Sequence, residues 1–239
     1  MTTAAFDEET VCKELAGADA ATRLRWGLTT FGPGFAVTTS FGIQSAVLLH
    51  MTSRLEAEVP VVWVDTGYLP PETYRYAETL MGFMRLNLKV AQAEISPARM
   101  EALHGQLWST GREEDLDLYH RIRKVEPLDR VLRELGVCCW ASGVRARQTE
   151  VRKSMAPVQR LRGVWSLRPL LDWTSRDVYY YMKEHGLPQH PLFEQGYSTV
   201  GDWHSSGPDG STGRGRDTRF SGLKQECGIH MDGVGGDGI

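Results

Sequence analysis

Apolar positions along this chain switch between helical and extended periods. At residues 7–26, Val11, Leu15, Ala18, Leu24 and Trp26 recur among charges at helical spacing and predict one amphipathic helix. FGPGFAVTTSFG then opens on turn residues and runs into a short strand, Phe35 to Thr39. GIQSAVLLHMTSRL returns to the helical period, with Ile43, Val47 and Leu48 on one side. PVVWVDTG, residues 60–67, is a continuous apolar run that ends at an acid, as in a strand buried on both faces. LPPETYRYAETLMGF reads as a helix entered through prolines, with Glu72 in its first turn. RLNLKV, residues 85–90, alternates as a third strand.

Strand–helix–strand–helix–strand in ninety residues implies a parallel sheet with right-handed crossovers. Helices are expected at about 96–107 and 124–135, and a buried strand at 136–144. WSLRPLLDW leads into a helix, SRDVYYYMKEHG, capped by Thr174 or Ser175 and stopped by Gly186. From about residue 187 turn residues dominate, and GPDGSTGRGRD, residues 207–217, reads as flexible. The expected organisation is one α/β domain over 1–206 followed by a mobile C-terminal segment over 207–239.

Composition narrows the possibilities. A chain of 239 residues with 41% hydrophobic and 24% charged positions can build a core without disulfides. A net charge of −3 produces no field that would draw nucleic acid or an acidic membrane, so an anionic ligand needs a local basic cluster. The four cysteines, Cys12, Cys138, Cys139 and Cys227, are too few and too scattered for a disulfide framework, which points to a reducing compartment, the cytoplasm or an organelle stroma. The opening residues carry acids and no apolar core segment, so no signal peptide is expected. Cys138 and Cys139 fall in the expected strand and read as core packing.

Four stretches carry possible chemistry. In TTSFGIQSAV a strand ends, Ser40, Phe41 and Gly42 turn, and a helix begins near Ser45; free N–H groups and hydroxyls there suit an anion, although an ordinary strand–helix turn looks the same. Asp65 and Thr66 end a strand at the sheet's carboxyl edge, where such folds bind ligands and where a turn acid is equally ordinary. SGVRARQTEVRK supplies Arg145, Arg147, Arg152 and Lys153, and RIRKVEP supplies Arg121, Arg123 and Lys124; guanidinium groups bind phosphate and sulfate oxygens in pairs, while a solvated basic face is the plain alternative. In KQECGIH, residues 224–230, Cys227 stands between Lys224 and His230 with Arg219 upstream, a basic setting that favours a nucleophilic thiolate on a segment too polar to expect in a core.

The stretches SFGIQSAV, VDTGYLPPETYR, LNLKV, KVEPL, SGVRARQ, RPLLDWTSRDVYYYMKEHGLPQHPLFEQGYSTVGD and TRFSGLKQECGIH resemble the sulfonucleotide reductases, over about residues 30–231. The likeness is strongest to the cluster-free 3′-phosphoadenylyl sulfate (PAPS) reductase type. The resemblance implies an adenine-nucleotide α-hydrolase-like, doubly wound, mostly parallel sheet. It implies that Cys227 attacks the sulfonucleotide sulfur and is left as an S-sulfonate, and that thioredoxin or glutaredoxin then releases sulfite, as in sulfate assimilation. By position, Ser40, Phe41, Gly42 and Ser45 match the family's phosphate loop, and Asp65 and Thr66 its strand-end motif. Lys124 and Arg145 match holders of the substrate's anionic groups; Arg147 lies in the same arginine loop. Arg219, Lys224 and His230 belong to the matching tail. A homodimer is expected by the same likeness.

The chain departs from part of the family. The iron–sulfur branch carries cysteines where this chain has Tyr119-His120 and Asp202-Trp203-His204-Ser205, so no [4Fe–4S] cluster and no other metal is expected. Ala146 and Arg147 stand where close relatives carry Arg and Glu. Three rival readings differ in chemistry. In the first, adenylyl sulfate (APS) replaces PAPS as substrate in the same reaction. An ATP pyrophosphatase of the same superfold would need an acid where Gln44 stands. A nucleotide-sensing module would have no use for Cys227.

Overall fold

A computed structural model of the chain describes residues 6–210, 215–217, 226 and 228–230. The strands are β1 (Phe35–Thr39), β2 (Pro60–Val64), β3 (Asn87–Ala91), β4 (Cys139–Ala141), β5 (Val158–Leu161) and β6 (Val164–Leu167). They form one sheet in the order β3-β2-β1-β4-β6-β5, with every pair parallel except β5–β6. The fold is therefore the expected doubly wound, mostly parallel sheet.

The continuous apolar runs follow from covering both faces. Phe35, Val37, Val61, Trp63, Cys139, Ala141, Trp165 and Leu167 point into one core. Ala36, Val62, Val64, Trp140 and Ala91 point into the other. Strand side chains alternate between faces, so both registers of each central strand must be apolar. The first face is covered by α1 (Glu8–Ala16), α2 (Ala20–Phe31), α3 (Ser45–Leu55), α4 (Pro71–Met84) and α9 (Ser175–Glu184). On the other face lies α7 (Glu126–Glu134), preceded by α6 (Glu113–His120) and a π-helical stretch, Arg121–Val125. Between β3 and α6 comes α5 (Pro97–His104), and α8 (Glu150–Lys153) follows β4.

Several expectations are corrected. The helix read over 7–26 is two helices, because Asp19 caps α2 by accepting from the Thr22 N–H at 2.7 Å. The helix expected from 124 begins at Glu113, whose acidic first turn the apolar period did not reveal. The strand read over 136–144 has only three ladder residues. The β5–β6 hairpin was not anticipated at all; its two-residue turn is Arg162-Gly163. Both turn residues have positive φ, 48° and 83°, a two-residue geometry that favours Asn-Gly. Arginine there costs about 1–2 kcal/mol. Of the cysteine pair, Cys139 is core but Cys138 is only half-buried, beside Gly34. Thr174 caps α9 through a reciprocal box with Asp177.

No helix among the described residues is long and apolar enough to cross a membrane. Gly27 of α2 shows how tightly that helix meets the sheet. A Cβ there would lie 2.5 Å from Phe35 Cε2 and 3.0 Å from Leu167 Cδ2. Gly27→Ala raises intrinsic helix propensity by about 1 kcal/mol, yet overpacking should give a net loss of about 1–3 kcal/mol. Urea unfolding checks the sign, and a more stable variant would refute this packing argument.

Candidate functional site

The crevice lies where the topology puts it. From β1 the chain winds one way to β2 and β3 and the other way to β4, so the β1 and β4 carboxyl ends open between diverging connections. A cavity of about 220 Å³ sits there, lined by Thr38, Thr39, Ser40, Gly42 and Ser45 after β1, Thr66 after β2 and Arg145 after β4. Among the described residues, the charged lining comprises Lys124, Arg145, Arg152 and Arg216 against Asp202 and Glu226. Cations outnumber acids, as an anion requires.

Phe41 is in the loop but not in the cavity wall. It adopts a left-handed φ of 47°, rare for a bulky side chain. The strain is held by burial: its ring meets Trp63 edge-on at 5.0 Å and its N–H donates to Thr39 Oγ1 at 3.0 Å. Phe41 thus bends the loop, leaving Ser40 exposed beside the cavity. The Ser45 hydroxyl donates to the Gly42 carbonyl at 2.7 Å and closes the turn into α3.

Asp65 is also outside the wall. Its carboxylate accepts from the Gly67 N–H at 2.9 Å, the Tyr74 hydroxyl at 2.8 Å and Gln92 Nε2 at 2.7 Å. Those three bonds occupy it structurally. Desolvation and Asp65 together push the Tyr74 hydroxyl pKa above the ordinary tyrosine range. Arg123 is buried and holds the same strand end, with Nε donating to the Thr66 carbonyl at 2.7 Å and Nη1 to the Ile95 carbonyl at 2.6 Å. Gly67 has no alternative there, since a Cβ would strike Pro97 at 2.7 Å and Arg123 at 2.9 Å.

Lys124 forms a buried ion pair with Asp202 at 2.6 Å, and Thr66 Oγ1 donates to the other carboxylate oxygen at 2.5 Å. Burial alone would raise the Asp202 pKa, but the Lys124 charge and the bonds from Lys124 and Thr66 outweigh it and hold the carboxyl well below the usual range. The Lys124 charge is therefore already matched before any ligand arrives. Tyr119, His120, Asp202 and Ser205, at the places where the iron–sulfur branch carries cysteines, are all buried. No cluster of three or more His, Cys, Asp or Glu suited to a metal occurs among the described residues.

The arginine loop divides sharply. Arg147 is exposed and does not line the cavity, because it sits on the outer side of a short 3-10 turn. Arg145 is buried, bonded to Gln44 Oε1 and to Ser175 Oγ at 3.3 Å. Desolvation, then the neighbouring Arg152, lowers its pKa to about 10, so it stays charged at neutral pH. Arg152, which the sequence shows only as part of a basic run, also lines the cavity. Its Nε and Nη2 donate to the two oxygens of Glu226 at 2.8 Å each, while Thr149 Oγ1 donates to the same carboxylate at 2.9 Å. Arg216 approaches it at 3.6 Å.

Glu226 thus corrects the expectation that the tail is too polar to bury, because it is only 5% exposed. Burial would raise its pKa, but Arg152 and Arg216 prevail and lower it. Gly228 is buried as well, and His230 stacks on Trp140 at 5.4 Å with a 24° interplanar angle. Desolvation, reinforced by Arg152, Arg168, Arg216 and Arg162, keeps the His230 imidazole well below its ordinary pKa. This holds His230 toward its neutral form, unlike the basic setting the sequence suggested around the thiol. Cys227, Arg219, Lys224 and most of the segment expected to be mobile lie outside the described residues. The wall formed by Ser198–Asp202 was missed as a functional element, because its residues show neither charge clustering nor period.

The doubly wound, mostly parallel sheet, with a cation-rich crevice at its switch point, has the adenine-nucleotide α-hydrolase-like fold. A solved FMN adenylyltransferase from Candida glabrata shares the fold, with a TM-score of 0.59 at 14% identity over 86% of this chain and 67% of that one. A family model described as the phosphoadenosine phosphosulfate reductase domain matches residues 34–208, and the chain belongs to that family of oxidoreductases. A phosphoadenosine 5′-phosphosulfate reductase from Synechococcus sp. is 54% identical over 91% of this chain and 94% of its own length. One from Xanthomonas axonopodis pv. citri is 45% identical, covering 97% and 96%. The crystal structure of a PAPS reductase from Candida auris, a phosphate complex, superposes with a TM-score of 0.74 at 28% identity, over 86% of this chain and 100% of that one.

The Lys124–Asp202 pair gives a test of the wall. Asp202→Ala strands a buried ammonium and should cost about 3–5 kcal/mol. Because the native carboxyl pKa is depressed, its contribution is complete above about pH 4 and is lost as pH falls toward the native value. Melting temperatures measured against pH should therefore drop on the acid side in the parent, and Asp202→Asn should flatten that limb. Parallel curves would show that the pair is not coupled to folding.

Proposed function

We propose that the chain reduces PAPS to sulfite and adenosine 3′,5′-bisphosphate in sulfate assimilation, with Cys227 as nucleophile. One observation carries the reading. The segment flanking Cys227 is drawn into the arginine-lined crevice: Glu226, Ile229 and His230 form part of the wall that Ser40, Gly42 and Arg145 form from the sheet side. Cys227 stands in the sequence between two of these wall positions, which supports a thiol acting at an anion site. Membership of the family and the names of its relatives support the substrate.

In the reaction the Cys227 thiolate attacks the sulfate sulfur. A sulfur–sulfur bond forms, the bond from sulfur to the bridging phosphate oxygen breaks, and the nucleotide leaves as a phosphate. A dithiol protein, thioredoxin or glutaredoxin, then attacks Cys227 Sγ and expels sulfite. Its second thiol resolves the mixed disulfide, so the dithiol supplies the two electrons. Ser40, Gly42 and Ser45 hold phosphate through the loop and the start of α3, and Arg145, Arg152 and Arg216 neutralise the remaining charge. Thr66 and Lys124 border the same cavity, with Lys124 acting as a hydrogen-bond donor already paired in charge. The excess of guanidinium over carboxylate suits the additional 3′-phosphate of PAPS over APS. We further propose Arg219 and Lys224 as tail cations that meet the substrate, a homodimeric state, and residence in the reducing cytoplasm; the relatives from Synechococcus and Xanthomonas are bacterial proteins.

Incubation with PAPS and no dithiol should add one sulfonate to the peptide carrying Cys227, read by mass spectrometry, and Cys227→Ser should abolish both the adduct and sulfite. Full turnover in Cys227→Ser removes the nucleophile assignment. A tenfold higher kcat/KM for APS than for PAPS, about 1.4 kcal/mol in transition-state binding, reverses the choice of nucleotide.

A further inference from the structure

Arg162 occupies a position that its own turn does not favour. It and Gly163 form the tip of the β5–β6 hairpin, both with positive φ, where Asn would satisfy the backbone better. Nor is its side chain free in solvent. The guanidinium is 13% exposed, and its Nε donates to both carboxylate oxygens of Asp129 on α7, at 3.1 and 3.2 Å. Its Nη1 donates to the Ile229 carbonyl at 2.8 Å and reaches the Gly228 carbonyl at 3.5 Å. These are the two residues that follow Cys227 in the sequence.

We propose that Arg162 is a positioning residue for the thiol chemistry: from the hairpin tip it grips the main chain at Gly228 and Ile229 and fixes, beside the crevice, the peptide that carries Cys227. This rests on the nucleophile reading given above. Three contacts bracket that peptide from separate elements. Arg152 of α8 holds Glu226 on its N-terminal side. Arg162 holds the carbonyls on its C-terminal side, and Trp140 of β4 receives the His230 ring. Arg162 differs from Arg152 in one useful respect, because it does not line the cavity. A guanidinium bonded to backbone carbonyls reads chain path rather than side-chain identity, and Asp129 fixes its orientation through a paired, charge-assisted contact. Gly228 at φ 77° allows the chain to turn its carbonyl toward that donor.

The test separates position from substrate binding and from folding. Arg162→Asn fits the turn but leaves Asp129 without its cation, so the melting temperature is measured beside kcat and should fall by only a few degrees. Its kcat for sulfite formation should fall roughly 10–100-fold through misplacement of the attacking group, with KM for PAPS unchanged. Hydrogen exchange in the peptide spanning 226–230 should rise. Asp129→Asn, made on a different element, should move kcat and exchange the same way, and Arg162→Lys should recover part of kcat. Parent-like kcat and exchange in Arg162→Asn overturn the proposal, as does a raised KM with kcat intact, which would make Arg162 a substrate contact. Should the parent itself form no sulfite while exchange still rises in the variant, the function reading fails and the anchor stands.

Discussion

Buried guanidinium groups must find acceptors, and that need organises one whole end of this molecule. Arg145, Arg152 and Lys124 are all withdrawn from water at the carboxyl ends of parallel strands. An unpaired charge there costs far more than a surface one. Each meets a partner: Gln44 and Ser175, Glu226, and Asp202. Only the last two partners are anions, so positive potential remains in the cavity. That residue of charge, more than any single contact, suits the crevice to the polyanion proposed above. Arg168 does not line the cavity but acts on Arg152 and His230 through its charge, with Nε and Nη2 buried and no hydrogen-bond partner among the described residues.

The same demand explains why a polar tail segment is buried. Glu226 lacks apolar surface to hide, yet a desolvated bidentate arginine and a threonine hydroxyl are better partners for a carboxylate than its sequence neighbours suggest. Among the described tail residues, Glu226 is held by charge, while Ile229 and His230 pack against the apolar face of the sheet. The arrangement also moves the cationic role away from His230. With several arginines near and little water, its imidazole is held toward the neutral form.

Local strain marks two places where the fold is over-determined. Phe41 accepts a left-handed backbone because its ring is locked against Trp63, and the phosphate-loop candidate turns on that residue without exposing it. Arg162 accepts the same conformation at the amino end of β6, outside the cavity wall, where its side chain bridges a helix and the tail. Both are residues held by tertiary contacts against their turn preferences, the pattern expected near functional sites.

Much of the scaffold was legible from the chain itself. The apolar runs at 35–39 and 60–64, the helical periods after them and the Thr174 cap specify a covered parallel sheet, because period and capping act over a few residues. The strand-end turns at Ser40–Ser45 and Thr66, and the arginine-rich stretch after β4, were visible for the same reason. The β5–β6 hairpin was not, since Arg162-Gly163 lacks the Asn-Gly signal and its strands are only four residues long. Nor could local pattern distinguish Arg152 from Arg147, or show that Asp65 is consumed by Tyr74 and Gln92 while Asp202 faces Lys124. Those outcomes depend on which side chains lose water together, and pairs such as Lys124 with Asp202 or Arg152 with Glu226 stand more than seventy residues apart. Periodicity is a property of neighbours along the chain, but the charge state and partner of a buried group belong to the packed molecule.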